Sequence, residues 1–494
     1  MIRRDPAAAA AGQFDLAIVG GGIYGVTLAL EAARRGVRSV LVERDDFGGA
    51  TSWNSLRIVH GGLRYLQTLD LPRFRESVVE RRWWLAHFPD LVRPLPCLMP
   101  LYGNGMRRPA VLRIALAMND ILSARRNVGV DAHCTLPRGR VLNPAQTAAH
   151  FPGVETQGLR GAALWHDAAM PDSQRLIVEL LHWAGSAGAV ALNYTEAGGI
   201  VAAGGTVRGL AVRDRLTDEE HLLAAPVVIN CAGPWCRELA AMFHRDFPEL
   251  FRLSLAFNVL LDRTPPADTA LGVEPREPGA RTYFLHPWKG KVLAGTFHAP
   301  WEGPRADDAV EEGHVAEFLG DLNQAIPGFD LRPADVLRVH WGYLPAAAEG
   351  SAALAAREVL VDHGSTGGPR GLFSVSGVKF TTARRVAERT LRTVFPAARP
   401  AARSPTCRPA PATPASLAQF EDWLSREPER AAQEVRRLVE TEAVIHIDDL
   451  VLRRTDWGMD PREGRRIATG IAPLLGWDDD RLRSGLARLA GAER

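Results

Sequence analysis

Cysteine is scarce, with five residues in a chain of 494, at positions 97, 134, 231, 236 and 407. The number is odd and no CxxC spacing occurs, which argues against a disulfide framework or a zinc site and fits a reducing cytoplasm. Long apolar runs are missing too. No stretch reaches the roughly 20 residues that span a bilayer, and Ala7–Ala11 is too short and too weakly apolar for a signal peptide. An excess of either charge is also lacking: the net charge of +2 implies no strong polyanion field, so no nucleic-acid partner is expected. No internal repeat is present. What remains is an ordinary globular composition, 46% hydrophobic, long enough for two or three domains.

The most informative segment runs from Asp15 to Glu43. Apolar Leu16-Ala17-Ile18-Val19 leads into Gly20-Gly21-Gly22-Ile23-Tyr24-Gly25, a helical stretch ends at Gly36, and Ser39-Val40-Leu41-Val42 leads to the acid Glu43. This is the order a dinucleotide site requires. Glycines permit a tight turn and close backbone approach, and the helix N-terminus offers free N–H groups to a diphosphate. An acid roughly twenty residues on accepts from ribose hydroxyls. FAD and NAD both satisfy this unit, and an ordinary tight turn between strand and helix is the bland alternative.

The rest reads as α/β with interruptions. Leu71 to Leu91 carries helical spacing, and Pro94, Pro96 and Pro100 then break the pattern, suggesting a boundary. Arg175 to Ala184 is an amphipathic helix candidate. Ala189–Asn193, Val207–Val212 and Pro226–Asn230 read as strands, the last ending at the small-residue turn Ala232-Gly233-Pro234. Between Arg252 and Pro345, alternating strands at Phe257–Leu261, Arg281–Leu285, Val292–Gly295 and Val336–His340 suggest an antiparallel sheet facing the substrate. Pro396 to Pro414 looks like a linker, and Leu417 to Arg494 reads as helices with charged faces.

The segment Thr51-Ser52 through Arg57-Ile58-Val59-His60-Gly61-Gly62-Leu63-Arg64-Tyr65-Leu66 closely resembles the FAD-dependent glycerol-3-phosphate dehydrogenases, of the D-amino-acid-oxidase-like flavoprotein superfamily. The likeness continues through Asn230-Cys231-Ala232-Gly233-Pro234-Trp235, Leu285-His286-Pro287-Trp288, Gly295-Thr296 and Gly377-Val378-Lys379-Phe380-Thr381-Thr382, in order, over most of residues 14–395. Asp448 to Thr455 looks, more faintly, like that family's helical extension.

The resemblance implies FAD rather than NAD, and an α/β fold of three parts. These are an FAD-binding Rossmann-like domain of the GR2/DAO type (1–80, 160–250, 350–400), an antiparallel-sheet substrate domain (81–159, 251–349) and a C-terminal helical domain (401–494). It implies hydride transfer from a CH–OH group of a small-molecule substrate to the flavin, with electrons passed on to quinone or oxygen. Cofactor contacts are implied at Gly20, Gly22, Ile23, Tyr24, Gly25, Glu43, Arg44, Thr51, Ser52, His60, Gly61, Gly62, Ala232, Gly233, Trp235, Gly377, Lys379, Phe380 and Thr381, and no metal is implied. Arg64 and Tyr65 are the implied substrate-facing pair, against the alternative that Arg64 pairs with a carboxylate such as Glu76. From the residues themselves, Thr381 or Thr382 is suited to cap a helix over Ala383–Leu391 that points at the flavin, with Lys379 beside it.

The departures matter equally. Asn258 stands where the family has a histidine, and asparagine orients a hydroxyl without taking its proton. Gly342-Tyr343-Leu344-Pro345 replaces a turn bearing a phosphate-gripping arginine, Trp53-Asn54 replaces Ser-Arg, and Val378 replaces a glycine. Losing one charge-assisted arginine contact weakens phosphate binding by roughly 1.5–3 kcal/mol, about one to two decades. His298 and His340 are the candidate replacement bases, and Tyr343 belongs to the rebuilt pocket.

The basic amphipathic stretch Arg107 to Arg126 suits peripheral contact with an anionic bilayer on the inner face of the membrane, and equally a helix packed on the domain with solvated arginines. Oxidation of an amine or amino acid, and FAD binding without catalysis, are the competing function classes. Monomer and dimer both stay open.

Overall fold

The computed structural model describes residues 1–103, 108–275, 280–306, 308–400 and 414–491. Arg107, Cys407 and positions 401–413 of the expected linker lie outside the described residues.

The opening unit forms as its sequence dictates. Strand Leu16–Val19, helix Ile23–Ala33 and strand Ser39–Val42 follow one another, and the strands pair in parallel from Leu16–Ser39 to Val19–Val42. They lie inside a six-stranded sheet ordered 359–362, 372–376, 228–230, 16–19, 39–42, 190–192, parallel except for its antiparallel edge strand Val359–Asp362. Alternation explains why these strands read as unbroken apolar runs. Leu16, Ile18 and Leu41 pack under the helices on one face, while Ala17, Val19, Val40 and Val42 pack against Leu210, Val212 and Leu223 of a three-stranded sheet on the other.

The antiparallel strands expected after Arg252 pair in one nine-stranded sheet. Leu253–Leu261 lies between Val336–Pro345 and Lys291–Pro300, and Tyr283–Trp288 follows, between Lys291–Pro300 and Ala270–Val273. Two expectations need correction here. The stretch containing Pro94, Pro96 and Pro100 is not a break but the strand Arg93–Pro100 of this sheet, paired along its whole length with Ala162–Ala169. Its prolines share one parity, so their missing N–H groups all fall on the same edge of the strand, where a proline is tolerated. The expected return to the FAD-binding domain at residue 160 also comes one strand early, because Ala162–Ala169 belongs to the nine-stranded sheet, as does the short strand Ile58–Val59.

Beyond residue 414, the helices Leu417–Arg426, Pro428–Thr441, Pro461–Ile471 and Asp479–Gly491 surround a core that includes Phe420, Val435, Leu450, Trp457 and Ile467. This domain is tied to the dinucleotide domain by buried ion pairs, Arg454 to Asp46 at 2.5 Å and Arg175 to Glu442 at 2.7 Å. The docking explains a third departure. Helix Ser173–Ser186 was expected to be amphipathic, yet it is buried on nearly every side because the C-terminal domain covers what would be its polar face.

Candidate active site

A cavity of about 2480 Å³ runs between the glycine turn and the nine-stranded sheet. It exceeds the roughly 300–1,000 Å³ of a drug-sized pocket, leaving room for a dinucleotide and a substrate. Gly20, Gly22, Ile23, Tyr24, Glu43, Arg44, Thr51 and Ser52 line it, as do His60, Gly62, Ala232, Gly233, Trp235 and the run Gly377 to Thr381. On the substrate side Arg64, Tyr65, Asn258, His298 and Tyr343 line the same space.

The turn has the shape a diphosphate needs. Gly20 has φ +107°, and a Cβ there would meet the Cys231 carbonyl at 2.8 Å; a Cβ on Gly25 would lie 1.9 Å from the Gly20 carbonyl oxygen. Gly25 does not line the cavity, and its role is close packing of helix on strand. The helix begins at Gly22 without a side-chain cap, so its N-terminus opens on the cavity. Ser52 Oγ accepts from the Ile23 amide at 3.0 Å, marking where an anion would dock. Glu43 accepts from the amides of Gly21 (2.7 Å) and Asp45 (3.0 Å). Burial, with Asp45 and Asp46 nearby, outweighs these bonds and raises its carboxyl to about 7. An open helix N-terminus, a glycine cradle and an acid at the ribose position together fit FAD.

His60 and Gly61 are organised by a residue the motif does not announce. Asp167 accepts from the Gly61 amide and from Arg81 Nη1, each at 2.7 Å, and lies 3.2 Å from His60 Nδ1. Although burial pushes the Asp167 carboxyl up, His60, Arg81 and the Gly61 amide bring it down to about 2. Gly61 itself does not line the cavity. A Cβ there would overlap Arg81 Nη1 at 1.9 Å, so its bare backbone makes room for this buried ion pair.

Lys379 and Arg64 meet at the far end. The Lys379 ammonium sits 4.3 Å from the Tyr65 ring centre, and burial, then the charge of Arg64, lowers its pKa to about 8. Arg64 is exposed to this space and does not pair with Glu76, whose carboxylate holds Arg389 at 2.6 Å. The helix after Lys379 starts at Ala383 with Thr382 in the capping position, but the expected side-chain cap is not made, and the Thr381 carbonyl accepts from Trp84 Nε1 instead.

Two of the altered positions, Asn54 and Asn258, form one hydrogen-bonded group with Thr296. Asn258 Oδ1 accepts from Thr296 Oγ1 at 2.8 Å, its Nδ2 donates to the Asn54 carbonyl at 2.8 Å, and Asn54 Nδ2 donates to the Trp341 carbonyl at 2.6 Å. The Tyr343 hydroxyl is committed to both backbone groups of Ala306. His298 lines the cavity with Nδ1 buried and unpartnered, its pKa brought down to about 4 by burial and by the charges of Arg281 and Arg64. His340, the other candidate base, does not line the cavity. It packs edge-on against Trp53, with Nδ1 3.3 Å from Asn54 Oδ1. Among the described residues no cluster of His, Cys, Asp and Glu is placed to hold a metal.

Residues 15–391 match the family described as FAD dependent oxidoreductase. The chain is 31% identical over 396 residues to a glycerol-3-phosphate dehydrogenase of Synechocystis sp., covering 77% of this chain and 70% of the relative. It is 29% identical over 506 residues to glycerol-3-phosphate dehydrogenase 1 of Mycobacterium bovis, covering 94% and 95%. In structure it is similar to the glycerol-3-phosphate dehydrogenase from Bacillus halodurans complexed with FAD, with a TM-score of 0.72 at 21% identity, covering 99% of this chain and 96% of that one.

Proposed function

Because this chain belongs to the FAD-dependent oxidoreductase family, we propose that it oxidises a CH–OH group of a polar substrate related to glycerol 3-phosphate, using a pocket no longer built around a phosphate. Bound FAD supplies the hydride acceptor. The observation that carries the reading is that Arg64, Lys379 and His298 line one cavity together with Asn258, whose side chain is held in place by bonds to Thr296 and the Asn54 carbonyl.

Arg64 holds an anionic or hydroxyl-rich part of the substrate through its planar fork. Asn258 orients the reacting hydroxyl. His298, whose basicity is lowered first by burial and then by the charges of Arg281 and Arg64, is neutral at pH 7 and takes the hydroxyl proton, and an anion bound at Arg64 offsets only the last of these effects. Lys379, which lines the same cavity, would offset negative charge developing on a bound flavin when it is reduced. Quinone or oxygen takes the electrons onward.

Among the described residues no helix is long and apolar enough to cross a membrane. Within the stretch from Arg107 to Arg126 lies the helix Pro109–Leu122, which buries Leu112 and Leu116 and leaves Ile114 69% and Ile121 74% exposed. This pattern supports peripheral contact through that helix. The four described cysteines are buried and free, which suits a reducing cytoplasm.

Anaerobic mixing with a panel of polyols, hydroxy acids, sugar phosphates, amino acids and glycerol 3-phosphate, followed by loss of flavin colour, tests the reading. Polar secondary alcohols should bleach the flavin, and glycerol 3-phosphate should do so weakly. Bleaching by amines alone overturns alcohol oxidation, and strong, selective turnover of glycerol 3-phosphate overturns the altered pocket.

A further inference from the structure

The π-helical turn Asp449–Arg454 of the C-terminal domain carries two adjacent arginines with different surroundings. Arg454 has a full complement of partners, with Asp46 at 2.5 and 2.7 Å and the Glu442 carbonyl at 2.9 Å. Arg453 does not. Its Nη1 is buried with no hydrogen-bond partner, and its one hydrogen bond runs from Nη2 to the Gly49 carbonyl at 3.4 Å. No carboxylate among the described residues comes within ion-pairing distance.

The neighbouring acids are already committed. Asp46 holds Arg454 and Asn193, Asp448 holds Arg488 at 2.9 Å, and Asp449 accepts from the Tyr194 hydroxyl and the amides of Ile445 and His446. The Arg453 side chain is partly buried, with Nη1 sealed from solvent, and a guanidinium stays charged and is costly to enclose without an anion. Yet Arg453 lines the large cavity, with its guanidinium 4.3 Å from the centre of the Trp53 ring. Gly49 and Trp53, which it contacts, flank Ser52, whose Oγ accepts from the first amide of the cofactor helix. The unpartnered cation therefore stands beside the loop that edges the expected position of the diphosphate.

We infer that Arg453 is a cofactor-anchoring residue, carried in by the C-terminal helical domain to pair with the diphosphate of the bound dinucleotide. The inference rests on the FAD reading of the cavity and adds a contact from outside the βαβ unit. It makes the C-terminal domain part of the cofactor site.

The test titrates the full-length, flavin-stripped chain with FAD, ADP and riboflavin, for wild type, Arg453→Met and Arg453→Lys. Loss of one charge-assisted contact should weaken FAD and ADP binding by about tenfold or more in Arg453→Met and leave riboflavin, which lacks a diphosphate, unchanged. Unchanged ADP affinity overturns the proposal. So does an equal loss for ADP and riboflavin, the signature of a merely structural arginine. Arg453→Lys keeps the charge without the fork, and if the Met variant fails to fold, the same ADP-against-riboflavin comparison on the Lys variant decides. A wild-type chain that binds neither FAD nor ADP would fell the cofactor reading itself, an outcome distinct from any difference between variants.

Discussion

The Tyr24 hydroxyl donates to the Lys379 carbonyl and accepts from the Lys379 amide, each at 2.9 Å. One phenol thereby fastens the first turn of the cofactor helix to a backbone 355 residues further along the chain. Gly377 permits the approach, since a Cβ there would lie 2.1 Å from the Tyr24 ring. Burial, with Glu358 and Glu76 adding, holds the phenol well above its ordinary pKa, so it remains protonated and able to donate. Tyr24→Phe should leave both Lys379 backbone groups to water, at a cost of about 0.5–1.5 kcal/mol. Its melting temperature should fall and flavin should leave faster on dilution. Wild-type values for both would show that this clasp is not needed.

Glu43 yields a pH dependence of defined sign. In the flavin-free chain burial raises its pKa from 4.5 to about 7, so the ionised form is disfavoured by folding and its stability contribution is lost as pH rises across that window. Ribose hydroxyls prefer the carboxylate as acceptor, so FAD affinity should move the opposite way, strengthening as pH rises to about 7 and levelling above it. FAD titrations between about pH 5.5 and 8.5 should show proton release on binding in the acid half, and Glu43→Gln should flatten the profile. A wild-type profile already flat across this range would remove Glu43 from the ribose site.

Gly295 tests the rebuilt pocket without touching a charge. A Cβ at that position would stand 2.1 Å from Asn258 Oδ1 and 2.9 Å from Cγ. Gly295→Ala should therefore displace the Asn258 side chain from its bonds to Thr296 and Asn54. Displacing an orienting group by about 1 Å costs on the order of 100-fold in turnover. Flavin content should change little, because the glycine cradle lies elsewhere, while the melting temperature should fall modestly as the buried Asn258 loses its partners. Normal turnover would take Asn258 out of the reaction.

The parts of this architecture legible in the sequence are those governed by local rules. Leu16 to Glu43 could be read residue by residue because a strand buried on both faces, a glycine turn and a helix each leave their own periodicity. The strand at Arg93–Pro100 was hidden because proline signals a break wherever its N–H is needed, and which edge of a strand needs it is decided by a partner more than sixty residues away. Asp167 was illegible for the same reason. It sits in an unremarkable strand and acquires its role only when Arg81, Gly61 and His60 are brought to it. Thr382 shows the opposite error, a local signal overruled, since the helix starts where expected but the hydroxyl does not cap it. Arg64 and Lys379 could be named from the family likeness, whereas the burial and then the mutual repulsion that lower the Lys379 pKa required three dimensions.

The pairing of Asp46 with Arg454 and of Arg175 with Glu442 constrains how this chain can be dissected. A fragment ending before the C-terminal helices would strand an aspartate and an arginine of the nucleotide unit in newly exposed apolar surface, each stripped of the charge it was folded against. The dinucleotide half is thus not a free-standing module to which a helical appendage was added. The two must be handled, expressed and inherited as one piece.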